Sequence, residues 1–271
     1  MANLSSVLEV VTATHPGMVR SHNEDSLAAD TEVGLAVLAD GMGGYNAGEV
    51  ASGIAVELIR TEMRKALAGK KTVELDGKDA ERLIATYANR ANNAIYQASQ
   101  SQPQYSGMGT TLVVALWHDN QLSVGHIGDS RLYRLRDGAL EQITRDHSLL
   151  QEQIDSGMIT REQARYSQNK NLVTRAVGID PEVETEVHTY AVRPGDLYLL
   201  CSDGLSDMVS DEDVQLTLTS LAANLPLAAE QLVQLANDSG GRDNISVILV
   251  RVAKQYPARS GLLGRVKAWL K

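Results

Sequence analysis

The chain contains no phenylalanine, only two tryptophans and a single cysteine among its 271 residues. Without Phe, a core must be filled by Leu, Ile, Val and Ala, with help from nine Tyr. The lone Cys201 excludes an internal disulfide and a cysteine-built zinc site. No apolar run approaches the roughly 18 residues needed to span a bilayer. Met1-Ala2-Asn3-Leu4 lacks the basic start and apolar stretch of a secretion signal, so the expectation is a cytoplasmic protein. Positive charge is short as well: 25 basic groups face 34 acidic ones, for a net charge of −9. That balance argues against nucleic acid as a partner, because phosphate backbones are bound by basic surfaces. What remains, 43% hydrophobic and 22% charged residues, describes an ordinary globular protein large enough to bury its own core.

Charge is unevenly spread. Residues 254–271 carry Lys254, Arg259, Arg265, Lys267 and Lys271 and no acid, which leaves a body of −14. The break near Tyr256-Pro257 divides a domain, 1–255, from a basic tail, 256–271. Apolar strands are expected at Glu9–Thr14, Leu35–Ala39, Thr110–Trp117, Gln121–Ile127, Arg131–Arg136, Val183–Val192, Asp196–Cys201 and Asn244–Val252. Asp137-Gly138 reads as a hairpin turn into Ala139–Ile143. Two long helices carry apolar residues at helical spacing, from Val50 to Leu67 and from Leu83 to Ile95. Strands grouped on either side of a helix pair do not alternate as a parallel βαβ fold would. Ile245, Val247 and Leu249 alternate with Ile248 and Val250, so the last strand must be covered on both faces. The pattern implies an α+β fold: a two-sheet antiparallel sandwich with helices outside. A polar helical insert at about 148–170, with capping-box spacing at Ser148/Gln151 and Thr160/Gln163, projects as a flap.

Asp40, Asp129 and Asp203 each end an apolar strand and each touch a glycine; Asp243 stands just before the last strand. Asp-Gly by itself is a turn signal, and Asp76-Gly77 and Asp137-Gly138 need no other reading. Asp40-Gly41 differs, because Met42-Gly43-Gly44 follows and a tight turn does not require so many glycines. Carboxylates converging at a sheet rim repel one another unless divalent cations neutralise them. An all-oxygen ligand set favours Mg²⁺ or Mn²⁺ over zinc or copper. The six histidines show no paired ligand spacing and read as structural or surface residues. In Arg20-Ser-His-Asn-Glu24-Asp25, expected in the loop after the first strand, Arg20 suits a phosphate and Glu24 a metal or its water. No Gly-x-x-x-x-Gly-Lys-Ser/Thr loop or Gly-x-Ser-x-Gly elbow is present, which removes support for nucleotide hydrolases and serine esterases.

In order, these pieces closely resemble the metal-dependent PPM (PP2C-type) serine/threonine phosphatases in their compact bacterial form. The matching residues are Arg20-x-x-Asn23-Glu24-Asp25, Asp40-Gly41-Met42-Gly43-Gly44, Gly109-Thr110-Thr111 and Gly128-Asp129-Ser130-Arg131. Asp146-His147, Thr174-Arg175-Ala176-Val177-Gly178, Ser202-Asp203-Gly204-Leu205 and Asp243-Asn244 follow. The resemblance covers about residues 8–253. It implies a β-sandwich flanked by helix pairs, with two Mn²⁺ or Mg²⁺ ions at one end. Asp40 would bridge both ions, and Asp203 and Asp243 would complete the first. The Gly41 carbonyl, with Glu24 through water, would serve the second; Asp129 with Asp203 matches a third site. Arg20 matches the phosphate-binding arginine, and the flap falls at 148–170.

The implied activity is hydrolysis of phosphoserine and phosphothreonine in proteins by a metal-activated water, without a covalent phosphoenzyme. A bacterial Ser/Thr kinase and its targets are the implied partners, and a monomer is expected. Animal-type members carry His after the Asp-Gly; here Met42, whose thioether cannot donate a proton, takes that place. A catalytically dead binding module is the rival reading, opposed by retention of Arg20, Asp40, Asp203 and Asp243 together. A metal-dependent nuclease is opposed by the −14 body. The tail places Leu262, Leu263, Val266, Trp269 and Leu270 at helical spacing, with basic residues largely elsewhere. Two readings stand: a terminal helix packed on the acidic body, or peripheral contact with an anionic membrane or a partner.

Overall fold

The computed structural model describes residues 4–44, 47–68, 75–164 and 172–257. Its strands are β1 (Leu8–His15), β2 (Asp25–Asp30), β3 (Leu35–Met42), β4 (Gly109–Thr110), β5 (Leu112–His118), β6 (Gln121–Ile127), β7 (Arg131–Arg136), β8 (Ala139–Gln142), β9 (Glu186–Ala191), β10 (Leu197–Cys201) and β11 (Ile245–Val252). The helices are α1 (Ala47–Leu67), α2 (Gly77–Ser101), α3 (Leu149–Asp155), α4 (Arg161–Ala164), α5 (Asp203–Ser206), α6 (Asp211–Ser220) and α7 (Leu225–Asp238). One sheet runs β1-β11-β10-β7-β8; the other runs β2-β3-β5-β6-β9, with β4 paired to the end of β3. Every pairing is antiparallel.

Period-2 alternation builds the layers. In β3, Ala36 and Leu38 face the other sheet, while Leu35, Val37 and Ala39 face α1 and α2. In β11, Ile248 and Val250 lie between the sheets, while Ile245, Val247 and Leu249 pack with Leu218, Leu225 and Leu232 of α6 and α7. Strands apolar on both faces are thus covered on both sides, as their composition requires. In place of Phe, Trp117 and Tyr198 meet edge to face between the sheets, with ring centroids 5.7 Å apart. Asp137 (φ 52°) and Gly138 (φ 80°) form the expected hairpin turn.

Three elements depart from the sequence reading. Asp25–Asp30 is a strand, β2, where only a charged loop ending at Asp25 was expected; its short Ser-Leu-Ala-Ala run carries little apolar signal, and pairing with β3 supplies the order. Helices α6 and α7 were not recognised as separate elements, although Ser210 and Asn224 cap them. The flap signals fare better. Ser148 accepts from Gln151 N at 3.2 Å, and Thr160 and Gln163 exchange both bonds of a capping box, at 2.8 and 3.2 Å. Of the expected flap, residues 165–170 lie outside the described residues. So does the tail from residue 258 onward. Tyr256, the first residue assigned to the tail, is buried; its N–H donates to Asn120 Oδ1 (2.6 Å) and its hydroxyl to the Gln121 carbonyl (2.9 Å).

Candidate metal centre

The topology brings the candidate aspartates to one end of the sandwich from both sheets. Asp40 lies near the end of β3, directly opposite Asp25 at the start of β2. Asp203 opens α5 just beyond β10, and Asp243 precedes β11, the neighbour of β10. Asp129 follows β6, where the chain crosses to β7 in the other sheet. Asp25, Asp203, Asp129 and Asp243 all act on the charge of Asp40. These side chains are surrounded by protein, yet Asp25, Asp40 and Asp203 keep partial access to solvent, as the floor of a cleft would.

Such crowding is costly without a counter-charge. Burial, reinforced by Asp25, Asp203, Asp129 and Asp243, pushes Asp40 well above the usual carboxylate range. Asp203 is raised likewise, by burial and then by Asp129, Asp207, Asp243 and Asp25. Burial first, with neighbouring acids adding to it, pushes Asp25 and Asp129 each up to about 6. Asp25 Oδ1 and Asp203 Oδ1 are buried with no hydrogen-bond partner. Orphaned carboxylate oxygens facing like charges are what a set of ligands for hard divalent cations presents, so the residues fit Mg²⁺ or Mn²⁺.

The surrounding backbone is held by specific bonds. Thr111 Oγ1 accepts from Asp40 N (2.9 Å), and Thr110 Oγ1 donates to Asp40 O (2.8 Å). Gly41 is required by contact: a Cβ there would lie 2.1 Å from Gly48 O and 2.6 Å from Glu24 O. Gly41 N in turn donates to Glu24 O (3.2 Å), which joins two of the sequence-predicted residues. The Glu24 carboxyl lies against Gly48 at the start of α1. Arg20, half exposed, donates to Asp243 Oδ2 at 2.6 Å.

Sequence reasoning passed over two residues of this region. Asp25 stands out in the sequence only as part of a motif, because its strand carries little local signal; here Ser202 Oγ donates to its Oδ2 (2.9 Å). Asn244 is buried and pins the whole Arg20–Glu24 loop. Its Oδ1 accepts from Glu24 N (2.7 Å), and its Nδ2 donates to Pro16 O (3.0 Å) and His22 O (2.8 Å). Asn244 N also donates to Asp243 Oδ1 (2.9 Å). Its place directly after Asp243, at the start of an apolar strand, is the one local mark the sequence gives it.

A cavity of about 380 Å³ opens beside Asp129 and Asp203, walled by Leu150 and Ile154 of α3 and by Met208 and Val209. Elsewhere, His126, His147 and Glu186 bring potential ligand atoms within 4.8 Å of one another. That group is a hydrogen-bonded stack. Gly128 N donates to His147 Nδ1 (3.2 Å), so the neutral ring carries its proton on Nε2, which faces Glu186 Oε2 at 3.3 Å. The two rings are nearly parallel (17°, centroids 4.6 Å apart), so their in-plane lone pairs do not converge on one point. Burial lowers the pKa of both histidines and keeps them neutral.

A family model for Protein phosphatase 2C matches residues 18–239. The serine/threonine protein phosphatase PstP of Mycobacterium tuberculosis is 41% identical over 252 residues, 93% of this chain and 46% of PstP, so the chain spans about half the length of that relative. The serine/threonine phosphatase stp of Listeria monocytogenes is 36% identical over 240 residues, covering 88% of this chain and 93% of its own. The crystal structure of the PstP catalytic domain in complex with two manganese ions superposes with a TM-score of 0.80 at 39% identity, covering 92% of this chain and 99% of that one. With the family model spanning residues 18–239 and these relatives matched over nearly the whole chain, the chain belongs to the protein phosphatase 2C family of metal-dependent serine/threonine protein phosphatases.

Proposed function

We propose that this chain removes phosphate from phosphoserine and phosphothreonine in proteins, and that Asp40, Asp203, Asp243, Glu24 and the Gly41 carbonyl hold two Mn²⁺ or Mg²⁺ ions. The observation that carries this reading is the gathering of Asp25, Asp40, Asp129, Asp203 and Asp243 from both sheets around two unpartnered carboxylate oxygens. Asp40, Asp203 and Asp243 would hold the first ion, and Asp40, the Gly41 carbonyl and Glu24 would serve the second. Asp129 with Asp203 would offer a third site. Bound cations supply neutralisation of phosphoryl charge and a water acidic enough to attack phosphorus at neutral pH.

The chain's own residues do the rest. Arg20 stands half exposed at the mouth, and its planar fork matches two non-bridging phosphate oxygens. That fork donates to Asp243 here, and a cation held by Asp243 would leave it free for the substrate. Asn244 fixes the loop that carries Arg20 and Glu24, so the clamp is set before substrate arrives. Met42 stands in the half-buried end of β3 and has no proton to give, so protonation of the leaving alkoxide falls to another group or to water.

The natural substrates are proteins phosphorylated by a Ser/Thr kinase of the same cell, met in the cytoplasm by a monomer. The 258–271 tail is read as a peripheral contact for an anionic membrane or a partner. No helix among the described residues is long and apolar enough to cross a membrane. The deciding experiment is manganese-dependent release of phosphate from a phosphothreonine peptide. Turnover that appears with Mn²⁺ and vanishes with chelator supports the reading; none under either condition removes it.

A further inference from the structure

Two large apolar side chains sit in water immediately before the phosphate clamp. Met18 is 68% exposed and Val19 69% exposed. The other exposed large hydrophobics among the described residues, such as Met158, Leu216 and Leu227, are separated along the chain; Met18 and Val19 are neighbours. Isolated exposed apolar residues need no explanation, but a contiguous pair beside a site does.

The pair is held in place. Gly17 has φ +82°, and a Cβ there would lie 2.3 Å from Asp243 O and 2.7 Å from Gly241 O. Met18 N donates to Gly241 O at 2.7 Å, and a Cβ on Gly241 would meet Met18 N at 2.8 Å. Asn244 pins Pro16 O on one side and His22 O on the other. The segment is therefore clamped to the loop carrying Asp243 at Pro16, Met18 and His22, with Val19 and Arg20 between the clamps. A preordered apolar surface loses little entropy when it is covered.

We infer that Met18 and Val19 form an apolar shelf that receives an apolar side chain of the substrate, within a residue or two of the phosphorylated one. The inference rests on the phosphatase reading above. Consecutive Cα atoms are about 3.8 Å apart, so Val19 and Met18 lie within about 4 and 8 Å of the Arg20 Cα. An extended peptide advances about 3.4 Å per residue, so one that runs alongside this segment with its phosphate at Arg20 has its flanking residues at matching spacing. The shelf thus selects phosphopeptides by their neighbouring residues, while Arg20 reads only the phosphate.

The test uses the full chain with Mn²⁺ and paired phosphothreonine peptides that differ only in Leu or Ser at positions flanking the phosphothreonine. Wild type should favour Leu at one or more of these positions by roughly 5- to 10-fold in kcat/KM, the lower end expected for an open surface rather than a closed pocket. Met18→Ser/Val19→Ser should bring that ratio to within about twofold, through KM for the Leu peptide. Met18→Leu/Val19→Ile should restore it. A wild-type ratio near one, or a ratio unchanged in the Ser variant, overturns the shelf while leaving the phosphatase reading intact. No turnover of either peptide by wild type overturns both. Self-association of the wild type that the Ser variant loses, with peptide selectivity unmoved, assigns the surface to a second copy of the chain and overturns the inference.

Discussion

Removing the cations from this protein should destabilise it by an amount that depends on pH in a direction the carboxylates fix. Asp25 and Asp129 are each raised from 3.8 to about 6 in the folded chain. At about 1.4 kcal/mol per pH unit, ionising either one in the folded state costs roughly 3 kcal/mol relative to the unfolded chain, as an upper figure, because solvent reaches part of the cleft. For an acid whose folded pKa is raised, the folded state binds more protons between the two values. Stability of the chelated protein from these groups is therefore highest below about pH 4 and declines as pH rises through 6. Cations remove the penalty above pH 6 but must displace protons below it. With about half of that upper figure realised at each of the two groups, about 3 kcal/mol in all, and about 2–4 °C per kcal/mol for a chain of this size, manganese at pH 7.5 should raise the melting temperature by roughly 6–12 °C over the chelated protein. At pH 5 the same addition should raise it by less than half as much. His126 and His147, whose folded pKa values are lowered, destabilise both forms on acidification and cancel in the difference. Scanning calorimetry of loaded and chelated protein at the two pH values reads the effect directly. Equal manganese shifts at pH 5 and 7.5, or none at either, would refute the argument that these carboxylates form a preassembled cation site.

Asp40→Asn and Asp243→Asn should each lower manganese-dependent peptide turnover by at least about a hundredfold while preserving the circular dichroism spectrum, since a carboxamide supplies no negative charge; wild-type turnover at matched metal would remove that residue from the site. Arg20→Ala should raise KM for a phosphopeptide by roughly tenfold or more, with kcat falling less; an unchanged kcat/KM would make Arg20 a loop charge. Asn244→Ala strands Glu24 N–H and the Pro16 and His22 carbonyls, and should cost about 2–4 kcal/mol in denaturant unfolding as well as raising KM; a loss of stability with normal KM would confine it to the fold. Removing residues 258–271, while keeping the buried Tyr256, should leave melting temperature and peptide turnover unchanged and abolish sedimentation with anionic vesicles; a large drop in melting temperature would return the tail to the fold.

Much of this molecule was legible before its structure. Alternation in Ile245–Val252 announces a strand covered on both faces, because a period of two with no polar face leaves no side for water. The N-cap at Ser148 and the capping box at Thr160 mark their helix starts by local chemistry alone. Asp40, Asp129, Asp203 and Asp243 were picked out by standing at the ends of apolar strands beside glycines. Their convergence, however, is a property of the register. Asp25 faces Asp40 only because β2 pairs with β3, and Asp243 lies near Asp203 only because β11 lies against β10. A weak strand such as Asp25–Asp30 takes its order from its partner, so no local pattern announced it. The same holds for Asn244: one amide bonded to three backbone groups more than 200 positions away in the chain is invisible to spacing, since hydrogen bonds across such distances exist only once the two sheets have closed on each other.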